Sequence, residues 1–146
     1  MERHTFIKTC GLGCLGILSG ALWLEGCVGT YYLDLPITGS NIEVPLNEFK
    51  LIKNETIHYR KYLVVQNNQL EYPIYVYRHT ENQYSAILMR CTHQGTELQA
   101  FGDRLQCPAH GSEFSSAGLV QNGPAENDLR SFRVSLQTSL LKIDLS

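Results

Sequence analysis

The sequence predicts an all-β domain, an antiparallel sandwich or barrel with a small inserted subdomain that carries the chemistry. Three observations support this expectation. Short runs rich in Val, Ile, Leu and Tyr recur from Ile42 onward with Asn, Gly and Pro between them, the pattern of strands alternating with turns. Beyond an apolar leader no segment sustains a helical period. Two short units, Cys91-Thr92-His93 and Cys107-Pro108-Ala109-His110, fall between strand-like runs and mark residues 90–116 as the insertion.

Taken in order, residues 1–26 read as an export signal or membrane anchor. Arg3-His4-Thr5-Phe6-Ile7-Lys8 precedes an apolar, Gly- and Leu-rich run from Thr9 to Leu24. A full span needs about 20 residues, so this run favours a cleaved signal over a permanent helix. Arg3 to Lys8 resembles the twin-arginine export motif with His4 in place of the second arginine. Leu24-Glu25-Gly26-Cys27 resembles a bacterial lipoprotein processing box, which makes Cys27 the expected lipidation site. Both routes, cleaved lipoprotein and uncleaved helix, imply a bacterial, extracytoplasmic, membrane-anchored domain.

Residues 27–40 read as a tether, because Gly29, Pro36 and Gly39 interrupt any regular element. The folded domain is expected over 41–146. Ile42 to Pro45 reads as an edge strand ending in proline, and Tyr62 to Val65 as a strand before an Asn67-Asn68 turn. Pro73 to Tyr77 and Tyr84 to Met89 follow as strands, the second running into Cys91. Arg104 to Gln106 feeds Cys107, and Arg130 to Gln137 alternates as a half-buried strand that returns as Leu140 to Asp144.

The chain has 146 residues and a formal net charge of −2, enough for one core and without a basic run that would suit nucleic acid. Cys10, Cys14 and Cys27 lie in or beside the leader, so Cys91 and Cys107 are the domain's only cysteines and no disulfide framework is available. Two thiols and two imidazoles on two loops suit one binuclear iron–sulfur site, because a [2Fe–2S] rhomb needs two protein ligands for each iron. Thiolates suit an inner ferric iron, and neutral imidazoles hold an outer iron whose reduced form is less electron-rich. Mononuclear zinc is the rival, but zinc knuckles space their cysteines by two to four residues, and the single-residue gap between Cys91 and His93 aims poorly at one ion. Gly95 and Gly111 supply the turns and Pro108 stiffens the second loop.

Cys91-Thr92-His93-Gln94-Gly95 and Cys107-Pro108-Ala109-His110-Gly111-Ser112 resemble the paired motifs of the Rieske family. The likeness extends to Gly123-Pro124-Ala125, similar to the family's proline loop, and to the strand Leu129 to Val134, so that it covers roughly 41–146. It implies a Rieske-like fold and one Rieske [2Fe–2S] cluster. Cys91 and Cys107 would hold the buried iron, His93 and His110 the exposed one, Ser112 would donate to a bridging sulfide, and Gly95, Gly111 and Pro124 would shape the pocket.

Two departures stand out. Thr96 and Ala109 occupy the positions where high-potential members carry a disulfide, and Phe114 stands where a tyrosine is expected. The potential is therefore expected below the top of the Rieske range of about −150 to +300 mV. The expected function is electron transfer by a membrane-tethered extracytoplasmic protein, with a redox protein or a quinol-oxidising or other oxidoreductase partner docking near His93 and His110. The alternatives are a Rieske subunit of a multi-subunit oxidoreductase and a non-redox zinc-binding lipoprotein. His58 and His79 receive no role, the tyrosines at 59, 62, 72, 75, 77 and 84 read as strand packing, and the Asn54-Glu55-Thr56 acceptor motif reads as idle.

Overall fold

The computed structural model describes residues 29–146. The leader and Cys27 lie outside the described residues. The described chain contains strands and one 3-10 turn, Leu46–Phe49, and no helix long and apolar enough to cross a membrane. The all-β expectation holds.

An eight-stranded sheet runs in the order β1 (Tyr32–Asp34), β6 (Tyr62–Gln66), β7 (Ile74–Arg78), β8 (Tyr84–Leu88), β13 (Ser131–Leu136), β14 (Leu140–Asp144), β3 (Asn41–Pro45) and β2 (Ile37–Thr38). Its neighbours pair antiparallel except β1 and β6, which run parallel with Tyr32 opposite Val64. A smaller sheet orders β12 (Val120–Asn122), β11 (Glu113–Ser115), β10 (Arg104–Gln106) and β9 (Gln99–Phe101), and a separate hairpin pairs β4 (Lys50–Lys53) with β5 (Thr56–Tyr59).

Two cores explain the sequence of the central strands. Ile42, Val44, Leu63, Val65, Ile74, Val76, Ala86, Leu141 and Ile143 fill the interior of the large sheet as it curls on itself. The alternate residues Val64, Tyr75 and Ile87 face the other way, onto Leu105 and Phe114 of the smaller sheet and Leu98 just before it. Strands β6 to β8 are thus covered on both faces, which is why they read as continuous apolar runs rather than alternating ones.

The expected tether is a correction. Tyr31, Leu33, Leu35 and Ile37 are half-buried against the inner core while Tyr32, Asp34, Pro36 and Thr38 are exposed, a strict strand alternation that the proline and glycines obscured. The folded domain therefore begins near residue 31 rather than 41. Ile42 to Pro45 is also not an edge strand, because β3 lies between β14 and β2. The inserted subdomain extends beyond 116, since β12 completes its sheet.

Candidate metal centre

The two ligand loops repeat one another. The Cys91 N–H donates to the Thr96 carbonyl at 2.8 Å and the Gly95 N–H to the Cys91 carbonyl at 2.8 Å. In the second loop the Cys107 N–H donates to the Ser112 carbonyl at 2.8 Å and the Gly111 N–H to the Cys107 carbonyl at 3.0 Å. Each pattern needs a left-handed residue at the same place, and glycine fills it with φ of +76° at Gly95 and +78° at Gly111. No protein atom lies within 4 Å of a Cβ built on Gly111, so its φ, rather than crowding by the protein, accounts for the residue.

The side chains then separate into two layers. Cys91 and Cys107 are buried in the core shared by Met89, Leu98, Leu105 and Phe114. His93 and His110 emerge exposed, with ring centroids 5.0 Å apart and planes at 87°. Burial pushes the Cys107 thiol up, but the backbone N–H groups of His110 and Ala109 and the side chains of Cys91 and Thr96 outweigh it and hold the thiol below its ordinary range.

A third loop closes the site. The Ala125 N–H donates to the Ser112 hydroxyl at 3.0 Å, and Ser112 is fully buried. The Thr92 hydroxyl donates to the Asn127 carbonyl at 2.6 Å. Both ligand loops are therefore tied to the segment that follows Gly123-Pro124, with Pro124 exposed beside them. Ser112 accepts from Ala125 and keeps its own hydrogen free to donate. Phe114 sits fully buried on β11 opposite Leu105, with no hydroxyl to offer.

Among the described residues, no three His, Cys, Asp or Glu side chains converge as ligands of one ion. Two thiols behind two imidazoles form instead a donor set that fits a binuclear group taking two ligands for each iron. A cleft of about 470 Å³ beside His93 is lined by Arg90, Thr92, Asn127 and Arg130 among others. Sequence reasoning missed the Thr92–Asn127 tie and this cleft. Only the polar residue between Cys91 and His93 hinted at the first, and nothing local hinted at the second.

The family model described as Rieske [2Fe-2S] domain matches residues 47–133. The chain belongs to that family, and it is accordingly a Rieske electron-transfer protein with a cluster of the Rieske [2Fe–2S] type. Among solved structures it is similar to the plasma membrane Rieske protein PetC3 from the cyanobacterium Synechocystis PCC 6803, at 28% identity and a TM-score of 0.51, covering 57% of this chain and 86% of that one. An oxygenase–ferredoxin complex of carbazole 1,9a-dioxygenase gives 25% identity and a TM-score of 0.46, covering 58% and 81%. Naphthalene 1,2-dioxygenase with indole in its active site gives 20% identity and a TM-score of 0.49, covering 58% and 22%. No curated protein matches the chain.

Proposed function

We propose that the protein is a membrane-tethered, extracytoplasmic carrier that passes single electrons between a donor and an acceptor docking at His93 and His110. Cys91 and Cys107 would hold one iron of the cluster and His93 and His110 the other. The bound cluster supplies one-electron redox chemistry at low reorganisation cost. The chain's own residues bury the thiolates, fix the loops through Gly95 and Gly111, and cap the site with Ser112 and the Pro124 loop. The observation that carries this reading is the pairing of two exposed imidazoles, ring centroids 5.0 Å apart, on two loops whose cysteines are both buried.

The Arg90 and Arg130 cleft beside His93 gives a partner a cationic notch to engage near the outer ligands. The leader sequence supports tethering and export, with lipidation at Cys27 preferred over an uncleaved helix. Likeness to a plasma membrane Rieske protein supports the same location. Thr96 and Ala109 in place of a disulfide, together with Phe114, favour a potential below the top of the family range and hence a carrier role over quinol oxidation. Service as a Rieske subunit in a larger oxidoreductase is the second reading, favoured by the same exposed imidazoles.

Anaerobic purification followed by iron and sulfide analysis and electron paramagnetic resonance tests the proposal. Reduced protein is expected to give a rhombic signal with average g below the free-electron value, and His110→Ala to abolish it. Protein lacking inorganic sulfide, or an unchanged signal in His110→Ala, overturns the ligand assignment. A midpoint at the top of the family range would instead shift the choice to the quinol-oxidising subunit.

A further inference from the structure

The hairpin of β4 and β5 packs little of itself. Ile52 pairs with Ile57 across the strands and Lys50 with Tyr59, so these residues share one face. That face is open, with Ile52 81%, Ile57 58% and Tyr59 46% exposed. Between residues 48 and 61 the sequence sets Lys50, Lys53, Arg60 and Lys61 against Glu48 and Glu55, in a chain whose net charge is −2. Among the described residues the ion pairs engage only Arg104 and Arg133, so these four cations have no carboxylate partner. Beside the hairpin base a cleft of about 520 Å³ is lined by Lys50 and Arg78, with Glu81 the only carboxylate in its lining.

The position of this hairpin gives the open face a meaning. The described chain enters at the hairpin's base, where the Arg60 guanidinium lies 4.1 Å from the centre of the Tyr31 ring and the Tyr31 hydroxyl donates to Glu48. Residues 1–28 precede that point. The same end of the sheet holds Arg78, which pairs with Tyr84 and lies over the Tyr59 ring, whereas the opposite end of β8 leads through Arg90 to Cys91. The five residues of β8 separate the two ends by roughly 16 Å of strand.

We propose that this end is a docking surface for an anionic lipid bilayer, with Ile52 and Ile57 entering the interface and the exposed Lys50 and Lys61, together with Lys53 beside the hairpin turn, meeting the headgroups. The inference rests on the membrane tether proposed above. With lipid on Cys27, four Cα steps to Tyr31 span at most about 14 Å, which holds the hairpin at the bilayer rather than letting the domain swing free. Apolar side chains beside a basic cluster, brought close by a separate anchor, are the combination that binds anionic membrane surfaces. Docked in this way, the domain turns His93 and His110 away from the bilayer, so the partner that reaches them is a water-side domain.

The test uses the full chain with Trp23→Phe in phosphatidylglycerol-containing vesicles with brominated acyl chains. Ile52→Trp and Glu126→Trp are compared, with retention of the reduced-cluster signal as the check on folding. Both variants are expected to float with the vesicles, with Trp emission at position 52 blue-shifted and quenched by at least half and that at position 126 unchanged. Flotation without quenching at 52 overturns the docking and leaves the tether intact. Failure to float overturns the tether and the docking together. A blue shift at 52 that depends on protein concentration without lipid assigns the face to a second copy of the chain and overturns the proposal. Lys50→Glu with Lys53→Glu is expected to lower the quenching at 52 while leaving flotation unchanged.

Discussion

The Ser112 hydroxyl accepts the Ala125 amide at 3.0 Å across thirteen residues, inside a core where Ser112 has no exposure. One atom thereby fixes the third loop to the second ligand loop and leaves the hydroxyl hydrogen free for another acceptor. Ser112→Ala leaves a buried N–H without a partner and is expected to cost about 1–3 kcal/mol in denaturant unfolding. On the proposed assignment it also removes a donor to the cluster. At about 1 kcal/mol for that bond, a one-electron midpoint is expected to fall by roughly 40 mV. Lost stability with an unmoved midpoint would show that the hydroxyl serves the loop alone.

Phe114 offers the reverse experiment. It lies fully buried in the core that holds both cysteines, so Phe114→Tyr places a phenol oxygen near the ligands. The midpoint is expected to rise by roughly 40 mV, one hydrogen bond's worth. Overpacking is expected to cost about 1–3 kcal/mol of stability. Voltammetry that shows no upward shift would place residue 114 out of reach of the site.

The cluster motifs and seven of the strands were legible because each carries a local signal: fixed Cys/His spacing in the first case, β-forming or alternating runs bounded by turn residues in the second. Arg104–Gln106 and Leu140–Asp144 agree with the sequence reading end to end. Strand β1 was hidden because Gly29, Pro36 and Gly39 look like linker chemistry, while the alternation of Tyr31, Leu33, Leu35 and Ile37 becomes meaningful only once β6 offers a parallel edge. The β4–β5 hairpin was missed because its turn is Asn54-Glu55, both with positive φ, rather than the Asn-Gly that advertises such a turn. The ties Thr92–Asn127 and Ser112–Ala125 join residues far apart in sequence, and no local pattern encodes them.

Cys27 separates the two modes of membrane attachment. Cys27→Ala is expected to release the protein from membranes into the soluble extracytoplasmic fraction if a lipid is the anchor, because removal of the acyl chains removes the binding energy of their buried methylenes. Fractionation that leaves the variant in the membrane pellet would favour the uncleaved apolar run from Thr9 to Leu24.

Removal of the cluster is expected to divide the molecule along its two cores. The inner core of Ile42, Leu63, Ile74 and Ile143 contains neither motif cysteine, whereas the other core is built around Cys91 and Cys107. Apoprotein prepared by anaerobic chelation is expected to keep slow amide exchange in β3, β6 and β14. Amides of β9 to β12 and of both ligand loops are expected to lose protection. Uniform loss across the large sheet would show that the two cores fold as one cooperative unit.

Tyr75 couples the large sheet to the smaller one and makes that coupling sensitive to alkali. Its ring packs between Tyr62 and Tyr77, and its hydroxyl donates to the Gly102 carbonyl at 2.8 Å. Burial, reinforced by Tyr77, Tyr62 and Asp103, raises its phenol far above the ordinary tyrosine range. The unfolded chain ionises this group near pH 10 and the folded chain does not. The stabilisation is therefore complete below about pH 10 and is lost as pH rises beyond it, by up to about 1.4 kcal/mol per pH unit. Tyr75→Phe is expected to cost about 1 kcal/mol at neutral pH through the lost hydrogen bond and to flatten this alkaline decline. Unfolding curves for the two proteins should converge as pH climbs past 10, whereas parallel curves would mean that Tyr75 ionises within the folded state.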